Sequence, residues 1–170
     1  MPRSFLVVAV TGTLLATPVA AYAHATLDRN EAPADSFFNT FVNVPHGCEG
    51  SPTLKVRVRI PEGVIGVKPQ PKAGWELAIR KEKLATPIVE GHGRTITETV
   101  AEVTWSGRLE DENFDQFGIH MKLPDKPGET LYFPTVQECE KGVHRWIEIP
   151  AEGKSEYPEP APGLKLLPKK

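Results

Sequence analysis

In the stretch "VAAYAHATLDRNEAP", Val19 to Pro33, a histidine follows Ala-Tyr-Ala at the seam between an apolar and a polar run. An internal histidine offers a metal only its ring. A histidine at a new amino terminus offers the α-amine and the imidazole Nδ1, which close a six-membered chelate ring on one ion. The neighbouring backbone amide is a further donor. The α-amine has an ordinary pKa of ~7.7–8.0, so a strong Lewis acid displaces its proton at neutral pH. Nitrogen donors in a tetragonal array suit Cu(II), which tops the affinity order of the divalent ions, and a carboxylate or water completes the plane. All of this requires that the chain be cut just before His24. Left uncut, His24 is an ordinary loop residue.

The residues ahead of it predict that cut. Arg3 supplies a short positive start, "FLVVAVTGTLLA" an apolar core, Pro18 a helix break, and Ala21-Tyr22-Ala23 the small-x-small cleavage pattern. Residues 1–23 therefore read as a secretory signal. The apolar run is shorter than the ~20 residues a spanning helix needs. No membrane span is expected after cleavage. The expected location is outside the cytoplasm, with the periplasm as the specific expectation.

Export bears on Cys48 and Cys139, the only two cysteines. An even pair in an oxidising compartment predicts a disulfide. The alternative is a thiolate copper or zinc site, which the wide spacing and the lack of a CxxC disfavour.

Other chemistries find no support. The chain holds no nucleophile elbow, phosphate loop, CxxC or HExxH. A net charge of −2 with no basic block gives no footprint for nucleic acid. His46, in the turn "PHGC", reads as structural, and His92 as a loop tip between glycines. His120 and Met121 are adjacent on one strand and face opposite ways, so they make poor joint ligands. Trp75 and Trp105 read as packing residues.

The elements that must hold His24 read as strands. In "TLKVRVRIP", Leu54, Val56, Val58 and Ile60 alternate with Lys55, Arg57 and Arg59. "GWELAI" groups Trp75, Leu77 and Ile79. "QFGIHMKLP" groups Phe117, Ile119, Met121 and Leu123. "TITETVAEVTW" is rich in β-branched residues, and "ETLYFPTVQ", "VHRWIEIP" and Phe37 to Val44 add further strands. Turn residues punctuate them, and the 17 prolines argue against long helices. The fold class expected is an all-β, antiparallel β-sandwich over residues 24–150. Residues 151–170, "AEGKSEYPEPAPGLKLLPKK", are proline-rich and charged, and predict a poorly ordered tail. In "RWIEIP", Ile147 and Ile149 form an apparent core stripe, which turns Trp146 to the opposite face with His144 and Glu148.

In order along the chain, "HATLDRNEAP", "PHGCEGSPTLKVRVRIPEGV", "KAGWEL", "EVTWSGRLEDENFDQF" and "LYFPTVQECEKGVHRWIEIP" resemble the YcnI-like family, also called the DUF1775 domain. The resemblance spans His24 to Pro150. It implies an exported bacterial protein with an immunoglobulin-like or cupredoxin-like sandwich, encoded with copper-handling genes. It also implies a monohistidine brace for copper: terminal amine and imidazole, an acidic side chain, and a nearby tryptophan. Carried over, the histidine is His24 and the tryptophan Trp146. The acidic residue falls among Glu110, Asp111 and Glu112. Alignment on Phe114 favours Asp111, with Glu112 next. The expected function is a periplasmic Cu(II) chaperone or storage module serving copper-transfer proteins, and not an enzyme. The alternatives are a copper-dependent oxidative enzyme, for which His120 or His144 would supply a second histidine, and a structural sandwich without metal.

Overall fold

A computed structural model describes residues 24–89, 93–151 and 153–169. The expected signal segment and His92 lie outside the described residues. Twelve strands run in chain order: β1 (Thr26–Leu27), β2 (Glu31–Pro33), β3 (Phe37–Val44), β4 (Thr53–Arg59), β5 (Ile65–Pro69) and β6 (Glu76–Val89). They continue with β7 (Thr95–Leu109), β8 (Asp115–Lys122), β9 (Thr130–Tyr132), β10 (Thr135–Cys139), β11 (Val143–Trp146) and β12 (Gly163–Leu167). The described residues contain no helix.

One sheet has the order β1-β3-β8-β5 and a second β11-β10-β4-β7-β6. The alternation read from the sequence explains why they stack. Phe117, Ile119 and Met121 of β8 turn one way, as do Val56 and Val58 of β4, and all five are buried in one apolar cluster. Trp105 of β7 meets Phe117 across the gap with ring centroids 5.4 Å apart. Its indole N–H, which burial would otherwise leave unpaired, donates to the Gln70 carbonyl at 3.0 Å. Trp75 also packs on this core, against Phe117. The result is the antiparallel β-sandwich that the sequence predicts.

Three details depart from the sequence reading. Leu54 leaves the inward stripe because the β4–β7 pairing shifts between Thr53 and Lys55, and Thr53 takes the buried position. Ile79 is exposed although its partner Val103 is buried, because β6 is the edge strand of its sheet. The third concerns "RWIEIP". The core residue there is Trp146, 2% exposed, while Ile147 and Ile149 are 43% and 51% exposed. β11 stops at Trp146, and the Ile147 amide turns back onto the Arg145 carbonyl at 2.7 Å, so the two-residue alternation ends one residue earlier than the sequence suggests.

The carboxyl-terminal segment is also not the poorly ordered tail that its prolines predict. Gly163–Leu167 forms β12, the middle strand of a third sheet ordered β2-β12-β9. Leu164 and Leu166 are fully buried in the common core, with Lys165 facing out. The folded unit therefore continues well beyond residue 150. "GLKLL" carries an ordinary period-two signal, and it lies between the prolines rather than on them, so its amides stay free to pair.

Candidate metal centre

β1 brings His24 into the fold. It pairs with β3 through Thr26 opposite Asn43 and Leu27 opposite Val42, which lays the segment beside the loop that follows β3. Ala25 and Leu27 are buried and anchor it. Asp28 closes the far end. Its Oδ1 accepts from the Thr40 hydroxyl at 2.7 Å and the Phe41 amide at 2.8 Å, while its own amide donates to the Phe41 carbonyl at 3.0 Å. Partial burial pushes the Asp28 carboxyl up. The Phe41 amide, the Thr40 hydroxyl and Arg29 outweigh it and leave the group below the ordinary carboxylate range.

His24 is half-buried and meets Trp146 edge-on, with ring centroids 5.8 Å apart. Two segments far apart in the chain thus supply a histidine and an indole to one place. Trp146 is fixed by its own N–H, which donates to Gln137 Oε1 at 3.1 Å. With that bond made, the indole presents its ring, not its nitrogen, to its neighbours.

The acidic candidates separate clearly. Glu110 is held by Arg108, whose Nε lies 2.7 Å from its Oε1. Glu112 is exposed. Asp111 is half-buried, and its carbonyl accepts from the Gly47 amide at 3.3 Å. Its carboxylate also presses on Gly47: a Cβ at that position would lie 2.8 Å from Oδ1 and 2.0 Å from the Ser51 carbonyl oxygen. Only a glycine fits there. Asp111 therefore stands at the turn that carries His46, at the same end of the sandwich as His24. Among the described residues, no three His, Cys, Asp or Glu side chains converge as a ready-made metal cluster. Of the residues the resemblance implies, the fold brings His24 and Trp146 into contact and places Asp111 beside Gly47.

Gln137 was hidden from sequence reasoning, although an inward-facing glutamine in "TVQEC" is a signal of a buried polar junction. It is wholly buried. Its Nε2 donates to the His46 carbonyl at 2.6 Å and the Thr53 hydroxyl at 2.8 Å, while Oε1 accepts from Trp146. The Cys48–Cys139 disulfide predicted from the cysteine pair is formed beside it. Gln137→Leu conserves volume but strands the indole N–H and the His46 carbonyl. An unsatisfied buried group costs about 1–3 kcal/mol, so a loss of roughly 2–4 kcal/mol is expected in urea unfolding, with a shifted and broadened Trp146 environment in fluorescence. A stability equal to the parent's would show that these groups find other partners.

His144 stands beside Trp146 as the alternation in "VHRWIEIP" predicts, while Glu159 was passed over because it lies in the proline-rich segment. His144 stacks on Trp146 at 4.8 Å, and its Nδ1 lies 2.8 Å from Glu159 Oε1. His120, by contrast, stacks on Phe37 and bonds Asn39, away from the described cluster.

The class that emerges is an all-β, immunoglobulin-like sandwich with histidines gathered around one buried indole at its end. The chain belongs to the family described as a domain of unknown function, DUF1775, whose model matches residues 24–166. A curated relative, "Copper-binding protein CutI" of Bacillus subtilis (strain 168), is 27% identical over 127 residues, covering 73% of this chain. The chain spans 55% of that relative's length. Among solved structures, an uncharacterized protein from Nocardia farcinica with an immunoglobulin-like fold superposes with a TM-score of 0.66 at 24% identity. That match covers 85% of this chain and 98% of the other and bears on the fold alone.

Proposed function

We propose that the chain is an exported copper-binding protein of the periplasm that carries Cu(II) as cargo to copper-transfer proteins, with His24 as its first ligand. The observation that carries the reading is the seat of His24 against Trp146, 5.8 Å between ring centroids. The name of the Bacillus relative supports the metal, and the disulfide fits an oxidising compartment. Cleavage after Ala23 would release the α-amine of His24 next to its ring. Asp111, with Glu112 as the alternative, would supply the carboxylate that offsets the charge of the ion. The Trp146 ring would wall off one side and limit the access of water and reductants. The proposed role is carriage, not catalysis, and turnover of chitin or cellulose with reductant and peroxide would overturn that part.

Intact mass of the exported protein, with and without Cu(II), tests the whole reading. The expected species begins at His24, lacks the two hydrogens of a closed disulfide, and gains one copper. A chain beginning elsewhere, or one that gains no copper at stoichiometric addition, would overturn it.

A further inference from the structure

His46 and His144 come from distant parts of the chain, the loop after β3 and the edge strand β11, yet their rings lie 5.9 Å apart at an interplanar angle of 83°. The same corner holds both in place. Gln137 pairs with His144 across the β10–β11 ladder and donates to the His46 carbonyl, and Cys48, two residues after His46, is bonded to Cys139 of β10.

Their ring nitrogens are sorted by their partners. His46 Nδ1 lies 2.5 Å from the Gly47 carbonyl oxygen, and His144 Nδ1 lies 2.8 Å from Glu159 Oε1. A carbonyl and a carboxylate can only accept, so both Nδ1 atoms carry the proton. In the neutral rings both Nε2 atoms are then free lone pairs. A histidine whose outer N–H is held by a carbonyl or a carboxylate is the usual form of a metal-ligating histidine. Glu159 is itself fixed, since its Oε2 accepts from the Arg145 amide at 3.0 Å and its amide donates to Glu148 Oε2 at 2.8 Å.

The spacing is within reach of one shared ion. With metal–nitrogen bonds of ~2.0–2.1 Å, a bound imidazole has its centre roughly 3.2 Å from the metal. Two rings can then stand at most about 6.4 Å apart on one ion. The observed 5.9 Å between ring centres falls inside that limit. Two imidazoles completed by water suit a d10 ion, which has no geometric preference from its d electrons.

We infer that His46 and His144, oriented by Gly47 and Glu159, form a second metal site for a d10 ion, zinc or cuprous, separate from the His24 site. Both residues are half-buried, so water can complete the coordination. This inference does not rest on cleavage before His24.

The test uses protein labelled with 15N-histidine and carrying one extra residue before His24, which removes any terminal chelate. It is titrated with Zn(II) alone and, without oxygen, with Cu(I) alone. The expected result is that one equivalent of at least one of the two ions shifts the Nε2 resonances of His46 and His144 together. Whichever ion does so is the ligand. His46→Gln and His144→Gln should each weaken binding at least tenfold, and Glu159→Gln by about tenfold, in line with the 10–100-fold cost of losing an outer partner. The parent spectra decide the matter even where a variant fails to fold. The site is overturned if neither ion moves the two resonances, or if only one of them moves. It is also overturned if they respond only when His24 is the first residue, which would make the pair part of the His24 site.

Discussion

One residue placed ahead of His24 is expected to weaken Cu(II) binding by at least about a hundredfold, the upper end of what losing a mere outer partner costs a metal site. The reason is local. With His24 first, amine and imidazole grip one ion through a chelate ring, and the second bond forms with little further loss of freedom. With a residue before it, the same nitrogen is a peptide amide, which binds only if a strong Lewis acid strips its proton. Nothing else need change. β1 still pairs with β3, Asp28 still holds Thr40 and Phe41, and the His24 ring still meets Trp146. Melting should therefore stay at the parent value while a competition titration against a chelator shows the loss. In the parent, affinity should also rise as pH climbs toward the α-amine pKa of ~8, because the proton competes with the metal. An unchanged affinity in the extended chain would sink the brace.

The parts of this molecule that follow local rules were legible in its sequence. Phe37–Val44 is a strand with the predicted bounds, and the stripe Phe117, Ile119, Met121, Leu123 is buried as its alternation requires. The cysteine pair is joined as its number and expected compartment suggest. What failed were inferences about edges. The face of Trp146 was misread because Ile147 and Ile149 mimic a core stripe just where β11 ends. Leu164 and Leu166 were missed because composition over twenty residues outweighed alternation over five. The candidate site was half legible for a similar reason. His24 came from the cleavage pattern and Trp146 from resemblance, and the fold puts them side by side. His144 was grouped with Trp146 by alternation, whereas Gln137 and Glu159 matter through contacts between separate segments of the chain, which no local pattern can display. Alignment on Phe114 favours Asp111 among Glu110, Asp111 and Glu112, with Glu112 next. Arg108 occupies Glu110, and Gly47 leaves room for Asp111.

Replacing both cysteines, Cys48→Ala with Cys139→Ala, is expected to cost about 2–5 kcal/mol of unfolding free energy. The bond closes a loop with a sequence separation of 91, and the chain-entropy model gives a loop of that size ~4–5 kcal/mol. Other bonds staple the same corner in the native state. The Cys48 and Ser51 backbones bond each other, the Ser51 hydroxyl donates to the Lys141 carbonyl at 2.7 Å, and the Glu140 amide donates to the Pro52 carbonyl at 2.9 Å. Those bonds keep the native corner shaped but do nothing to restrict the unfolded chain, which is where the disulfide acts. Urea denaturation should show a lower midpoint. A change below ~1 kcal/mol would mean that the cross-link constrains little. The two proposed metal sites should respond differently to the same change. His24 itself is held through the β1–β3 pairing, so its amine–imidazole chelate should keep binding Cu(II) even where Asp111, at the Gly47 turn beside Cys48, shifts. His46 sits two residues from Cys48, and His144 lies on the strand paired to the one that ends in Cys139. The cross-link is the covalent tie between the segments that carry them, so zinc or cuprous binding at the pair should weaken before Cu(II) binding does.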